Sequence, residues 1–507
     1  MVDAQDDTIR FLASPQSYGV DQVTTVRTHG AIVFLAGDRA YKLKRAVRYP
    51  YMDYSTVERR RAMCRRELEV NRQLAPQLYL GVKDIVRGQD GQLHFSPPAS
   101  GEITDSVVVM VRFDQSALLS QLCAHHKADA TLMRALAGKI AAFHKAAERT
   151  PAVDFADVTQ AVVDENILLL EGARFFDEAT VGRFAKALRD SCHRAEPLLR
   201  KRSHGDSIRR CHGDLHLNNI VVIGNSPVLF DAIEFNDDYI FIDPIYDISF
   251  LIMDLERIGE RELAHVLFNR YFELLPDDDG PALLPLYLSL RAAIRAHVAV
   301  SRSRAGDSTA TEEAQRCFAL AQDFLVVRPP QLIAIGGFSG SGKTTLARAL
   351  APNIGAPPGA LILRSDIIRK SLMGVGELDR LPQSAYSVAV NARVFATLHE
   401  RARALLAGGQ SVVMDSVYGR PEERARIKEI AQATGAGFHG LWLEAPRHTL
   451  SQRITGRSSD ASDATMAVLD LQMRALSPPS DWYRLDVDRS PEAVAALAVM
   501  HLSTNKV

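Results

Sequence analysis

Two stretches of the chain carry side chains whose types and spacing suit phosphate chemistry. Residues 337 to 344 read Gly337-Phe338-Ser339-Gly340-Ser341-Gly342-Lys343-Thr344, which fits G-x-x-x-x-G-K-[ST]. Small residues let successive backbone N–H groups close around phosphate oxygens, and a helix starting at Lys343 adds the positive potential of its N-terminus. Lys343 is placed to reach the β- and γ-phosphates of ATP. Thr344, with Thr345 behind it, offers a hydroxyl to Mg2+. Far upstream, Cys211 to Ile220 read C-H-G-D-L-H-L-N-N-I, and Val228-Leu229-Phe230-Asp231 puts a carboxylate at the end of a short apolar run. Phosphoryl transfer needs a carboxylate to orient the attacking hydroxyl, and an amide and second carboxylate to hold Mg2+. Asp214, Asn219 and Asp231 supply these in the required chain order.

Such groups act only if elements hold them at one edge. After the Pro329-Pro330 seam, apolar runs alternate with helical patterning: LIAIGG, a helix from Lys343, LILRS, SVVMDS and GLWLEA. That alternation predicts a parallel sheet wrapped by helices, with strand ends facing one ligand crevice. Asp415 ends one run and suits a carboxylate that holds Mg2+ through water. Arg364-Ser365-Asp366 follows another. Asp366 is a candidate to accept the proton of an acceptor hydroxyl, and Arg369 to hold phosphate. Arg453 and Arg457 sit on a helix running into the polar stretch SSDASDA, a pattern that suits a mobile segment neutralising transferring phosphate.

These residues resemble the small-molecule P-loop kinases, the group near polynucleotide kinase, zeta-toxin-type kinases and gluconate kinase, over most of Gln331 to Val507. The resemblance implies Asp366 as base and Arg453 and Arg457 as lid arginines. The upstream set resembles the catalytic loop of aminoglycoside phosphotransferases and choline kinases, which share the protein-kinase-like fold. Their H-G-D-x-H-x-x-N pattern is matched by His212, Gly213, Asp214, His216 and Asn219. Asp231-Ala232-Ile233-Glu234 looks like their metal-binding segment, and Asp243 and Asp247 like the structural Asp motif that follows.

That second resemblance implies further parts upstream. Lys42, or Lys44 on the same strand face, would grip the α/β-phosphates. Glu67, or Glu69, on the following helix would pair with that lysine. The apolar run ending Met110-Val111-Arg112 would be the hinge whose backbone meets adenine. No Gly-rich phosphate loop stands out; Ser17-Tyr18-Gly19-Val20 has one glycine. The helical region lacks the acidic clustering expected around a polycationic acceptor. Arg59-Arg60-Arg61 and Arg65-Arg66 read as a solvated helix face, and His125, His126 and His144 as structural or surface residues.

The expected architecture is an α+β protein-kinase-like domain over 1–327 (small lobe about 1–112, helical lobe about 113–327), then an α/β P-loop domain over 328–507. A chain of 507 residues is too long for one core. Lys+Arg number 60 against Asp+Glu 61, a balance that argues against nucleic acid as general partner. Five scattered cysteines, Cys64, Cys123, Cys192, Cys211 and Cys317, fit a reducing compartment. No run reads as a signal peptide or membrane span, so a cytoplasmic enzyme is expected. The function expected is phosphoryl transfer from ATP to a small hydroxylated molecule at two sites. The alternatives are one catalytic domain beside a nucleotide-binding regulatory one, or 5′-phosphorylation of polynucleotides.

Overall fold

The computed structural model describes residues 5–28, 30–49, 52–96, 101–150, 154–205, 207–456 and 462–504. By packing, the chain falls into two units, one of residues 1–162 and 196–254, the other of 163–195 and 255–507. The helices Phe155–Ala173, Glu178–His204 and Pro244–Arg257 run through these divisions. Packing and the patterning break at 327/328 are different measures, and residues 163–195 and 255–327 are where they part.

The first unit is built on a six-stranded antiparallel sheet. Its order is Val23–Arg27, Ala31–Ala36, Arg39–Lys44, Glu102–Val111, Tyr79–Arg87 and Leu93–Ser96. One face closes over Leu12, Ile32, Phe34, Leu43, Ile85 and Val107. Against the other lies the helix Val57–Leu74, whose start is capped by the Thr56 hydroxyl accepting from the Arg59 N–H. The buried residues of this helix are Arg60, Cys64, Glu67 and Asn71, the spacing of one helical face. That face is polar, which corrects the reading of the arginine run as solvated for Arg60 and Arg61, while Arg59 and Arg65 are exposed as that reading expects. Arg60 is fully buried, its Nε 3.0 Å from both oxygens of buried Asp105. Arg61 holds Asp84 with two bonds of 3.1 and 2.9 Å. A buried guanidinium is tolerated because its carboxylate partner is buried with it.

The second unit holds a five-stranded sheet in the order Leu361–Arg364, Val412–Asp415, Gln331–Gly337, Gly437–Glu444 and Tyr483–Asp486, with every pairing parallel. Four of these strands are the apolar runs named above. The fifth, Tyr483–Asp486, has a single buried residue, Leu485, and no run for periodicity to detect. Parallel strands are buried on both faces, as Leu332 to Ile335 and Val412 to Met414 show. The strand Leu361–Arg364 lies at the sheet edge, and the helix Arg261–Leu274 covers it. Asn269 Oδ1 accepts from the Ile362 N–H at 2.7 Å, and His265 Nε2 meets the Ala360 carbonyl at 2.9 Å. An edge whose backbone groups are taken up by side chains offers no template for another strand.

One segment departs from the reading that no run could span a membrane. Residues Gly280–Arg304 are long and apolar enough, but 72% of that window is buried within the protein, as in the core helix of a packed domain.

His265 is 3% exposed, and burial holds its ring at about 4, below the ordinary 6.5. It is therefore neutral when folded, and the unfolded chain takes up the extra proton between those values. The stability of the second unit should fall as pH drops from 6.5 toward 4, with His265 contributing up to about 1.4 kcal/mol per pH unit. Denaturant unfolding across that range should show a shallower loss in His265→Asn, which cannot gain the proton.

Candidate active sites

In the first unit the chemistry-bearing residues meet where the strand Arg39–Lys44, the helix Val57–Leu74 and two loops converge. Lys42 and Lys44 alternate with Leu43 and so share one strand face. Both reach Glu67. Lys42 Nζ is 2.9 Å from Glu67 Oε1, and Lys44 Nζ is 2.7 Å from Glu67 Oε2. Lys42 is also paired with Asp231, and Lys44 with Glu234. The Tyr54 hydroxyl donates to Glu234 Oε1 at 2.7 Å. Glu69, by contrast, is exposed. Burial works against the charge on both lysines, yet the carboxylates around them outweigh it and hold them well above the ordinary lysine range. Glu67 is likewise held below the usual carboxylate range, the two lysines overcoming its burial. The lysines differ in access: the Lys42 side chain is 15% exposed and that of Lys44 only 2%.

The catalytic-type loop is held from beneath. Asp247 accepts from the His212 N–H at 3.0 Å and the Gly213 N–H at 2.9 Å, one carboxylate oxygen for each. Buried His144 meets the same carboxylate, its Nε2 3.1 Å from Oδ2, and lies with Cys211 and Asp247 in one buried cluster of groups able to ligate a metal. Gly213 has φ of 80°, and a Cβ there would stand 2.8 Å from the Tyr239 carbonyl, which is why this position takes glycine. So anchored, the loop presents Asp214, whose side chain is 39% exposed. Asn219 Nδ2 donates to the Asp214 carbonyl at 2.9 Å and to its Oδ2 at 3.0 Å. His216 Nε2 lies 3.3 Å from the same oxygen.

Asp231 sits in the left-handed region at φ 62°, a strained conformation for a non-glycine residue. Its neighbours hold it there. The Asp231 N–H donates to the Tyr79 hydroxyl, and Asn71 exchanges two bonds with the Ala232 backbone, of 2.7 and 3.1 Å. Tyr54, Asn71 and Tyr79 were not picked out from the sequence, because nothing in their spacing ties them to residues far along the chain. The hinge expectation meets a constraint. The Val111 and Arg112 N–H groups already donate to the Leu78 and Asp38 carbonyls, so neither is available to a base.

In the second unit the phosphate loop leaves the central strand at Gly337 and enters the helix Lys343–Leu350. Gly337, Gly340 and Gly342 have φ of 143°, 86° and 89°. A Cβ on Gly337 or Gly340 would stand 2.8 or 2.7 Å from the Leu443 or Leu450 carbonyl. The Ser341 hydroxyl is buried and has no hydrogen-bond partner among the described residues. Lys343 Nζ donates to the Gly337 and Phe338 carbonyls at 3.0 and 3.2 Å, folded along the loop it would share with a phosphate. The Ser339 N–H donates to Gln472 Oε1 at 2.9 Å. The Thr344 hydroxyl donates to Asp415 Oδ2 at 2.6 Å, a hydroxyl–carboxylate pair able to hold a divalent cation. Thr345, one residue further along the helix, is exposed.

Around this loop, Asp366 lies in the first turn of the helix Ser365–Leu372. Burial, then the nearby Asp415 carboxylate, push its carboxyl above the ordinary value, the direction that strengthens a base. Arg364 Nε is 3.6 Å from Asp415 Oδ2. Arg369 donates to the Ala385 carbonyl at 2.8 Å and stacks over Tyr386. The Tyr386 hydroxyl in turn donates to Asp463. Arg453 donates to the Val487 carbonyl at 2.7 Å, while Arg457 lies outside the described residues. Gln472 and Tyr386 had no motif to announce them.

The unequal access of the two lysines predicts unequal consequences. Lys42→Met leaves Lys44 on Glu67 and should keep the fold while weakening nucleotide binding by the first unit. Among the described residues, Lys44→Met takes the only lysine from buried Glu234 and leaves Glu67 with Lys42 alone, and should cost about 3–5 kcal/mol. Urea unfolding together with binding of a fluorescent ATP analogue would separate these outcomes.

Comparison with known proteins agrees with this division of the chemistry. A family described as Phosphotransferase enzyme family matches residues 35–286, and one described as AAA domain matches residues 332–479. Uncharacterized proteins of Mycobacterium tuberculosis and Mycobacterium bovis are 32% identical over 451 residues, 87% of this chain and 87% of theirs. Among solved structures, a gluconokinase from Sinorhizobium meliloti 1021 is 22% identical over 35% of this chain and 94% of its own, with TM-score 0.26. A choline/ethanolamine kinase family protein from Mesorhizobium loti is 14% identical over 62% of this chain and 92% of its own, with TM-score 0.37. The chain belongs to the family of these mycobacterial proteins and is a kinase, with a phosphotransferase-family domain ahead of a P-loop domain.

Proposed function

We propose that this protein is a tandem kinase whose two sites each move the γ-phosphoryl of ATP to a hydroxyl of a small molecule such as a sugar, amino sugar or polyol. The observation that carries the reading is that each unit holds candidate cation ligands close to a candidate base. In the first unit Asn219 bonds Asp214, and its carbonyl accepts from the Phe230 N–H next to Asp231; in the second, Thr344 bonds Asp415, whose carboxylate acts on Asp366. When bound, Mg2+ and ATP would supply the transferable group and neutralise its charge.

The residues of the chain then have separable tasks. Asp214, steadied by Asn219 and His216, orients the acceptor hydroxyl in the first site. Lys42, kept in place by Glu67, meets the nucleotide phosphates. In the second site the amides from Ser339 to Thr344 and the Lys343 ammonium cradle the triphosphate. Asp366, with its raised proton affinity, takes the acceptor proton. The five cysteines are buried and in no disulfide among the described residues, in keeping with a reducing, cytoplasmic setting.

A second reading has one observation in its favour. The first unit shows no Gly-rich phosphate loop, Ser17-Tyr18-Gly19-Val20 carrying one glycine, which suits a first unit that senses nucleotide without turning it over.

Purified protein incubated with ATP and a panel of sugars, amino sugars, polyols and nucleosides should yield a phosphorylated product. Asp214→Ala and Lys343→Ala should each remove a different activity, by about 100-fold or more. A chain in which Lys343→Ala removes all transfer while Asp214→Ala changes nothing would favour the sensing reading. Product on oligonucleotide 5′ ends alone would point to a polynucleotide acceptor.

A further inference from the structure

The helix Arg261–Leu274 lies within the phosphotransferase-family match, residues 35–286, yet it packs in the second unit with the P-loop sheet. It does more there than cover the edge strand. Arg270 Nη1 lies 2.7 Å from Glu377 Oε2 and 2.9 Å from Glu273 on its own helix. The other oxygen of Glu377 is 3.6 Å from Arg364 Nη1, and Arg364 Nε is 3.6 Å from Asp415. Lys370 donates to the Glu377 backbone carbonyl at 2.7 Å. Little of this is open to water: side-chain exposure is 18% for Arg270, 19% for Glu377, 4% for Arg364 and 7% for Asp415. A cavity of about 20 Å³, lined in part by Asn269, Glu273, Arg364 and Arg401, lies beside Arg364.

Three alternating charges thus run from the helix to the carboxylate at the end of a central P-loop strand. Arg364 stands at the hub, at the end of the edge strand and two residues before Asp366. Screening by water is weak at such exposure, so each charge constrains the next. The edge contacts of His265 and Asn269 fix where the helix sits along that strand, and hence where Arg270 meets Glu377.

We infer that Arg270 is a positioning residue for the P-loop site, acting through Glu377 to hold Arg364 beside Asp415 and Asp366. The P-loop site is then completed by a residue outside the AAA-domain match of 332–479, one supplied by the phosphotransferase-family part of the chain. The inference rests on the proposal that Asp415 and Asp366 serve phosphoryl transfer.

The test uses the full chain with Asp214→Ala silencing the first site. Hydrogen exchange reports the relay whatever the activity. Arg270→Ala should raise exchange across residues 364–379 while leaving the central strand 331–337 unchanged, and Arg270→Lys should restore most of the protection. Glu377→Gln, which removes the middle charge with little change of shape, should give the same local pattern. Unchanged exchange at 364–379, or a rise spread through the whole second unit, overturns the inference. In the same proteins, ADP release from MgATP should fall about tenfold in Arg270→Ala, with half-saturation for MgATP within about twofold of the parent. Equal losses in the Ala and Lys variants would also overturn it. Lys343→Ala is the separate control: ADP release that survives it defeats the P-loop reading, while the exchange pattern still decides the relay.

Discussion

A carboxylate buried between two lysines is the interaction around which the first unit is organised. Glu67 is fully inside the protein, and an isolated charge there would be very unfavourable. Its two oxygens each hold a lysine from one strand face, and each lysine carries the charge balance onward to the Asp231–Glu234 segment. Strand, helix and metal-type loop are therefore tied by electrostatic necessity as well as by apolar contact. The neighbouring Arg60–Asp105 pair extends the same principle along the helix. Breaking such a pair from one side is far more costly than the pair is stabilising, so the geometry of the lysine end is held tightly.

The second unit meets the same demand for fixed charge by another route. Its positive potential comes largely from backbone, where a glycine-rich turn runs into a helix start, and the parallel sheet brings strand ends to one edge. Thr344 and Asp415 come from different strand–helix connections and meet at 2.6 Å only because the strands that carry them are adjacent and in register. The weak point of any open sheet is its edge. Here the edge strand carries Arg364 and leads directly into Asp366, so the helix that satisfies its backbone also bears on the chemistry.

Much of both sites was legible because their motifs are local. A phosphate loop and an H-G-D-x-H-x-x-N loop are short-range patterns whose backbone geometry follows from glycine placement. What distance hides was less legible. Lys42 and Lys44 could not be told apart by strand periodicity, since both lie on one face. They differ in which distant carboxylate they meet and how far each is buried. The arginine run looked solvated because charge usually is, and Arg59 and Arg65 are; only pairing with Asp105 and Asp84 from other strands drew Arg60 and Arg61 inward. The strand Tyr483–Asp486 escaped notice because an edge strand with one buried residue has almost no hydrophobic signature.

By itself, the sequence determined which chemistry the chain carries: glycines at positive φ around a lysine, and acid and amide groups at fixed offsets, are properties of neighbouring residues. The tertiary structure alone decided which long side chains share a carboxylate, which backbone amides are already taken, and that residues 163–195 and 255–327 fall in one packing unit with the P-loop sheet. Those outcomes depend on burial and on pairing between remote segments, and the energy of a buried charge is set by whichever partner the fold brings within reach.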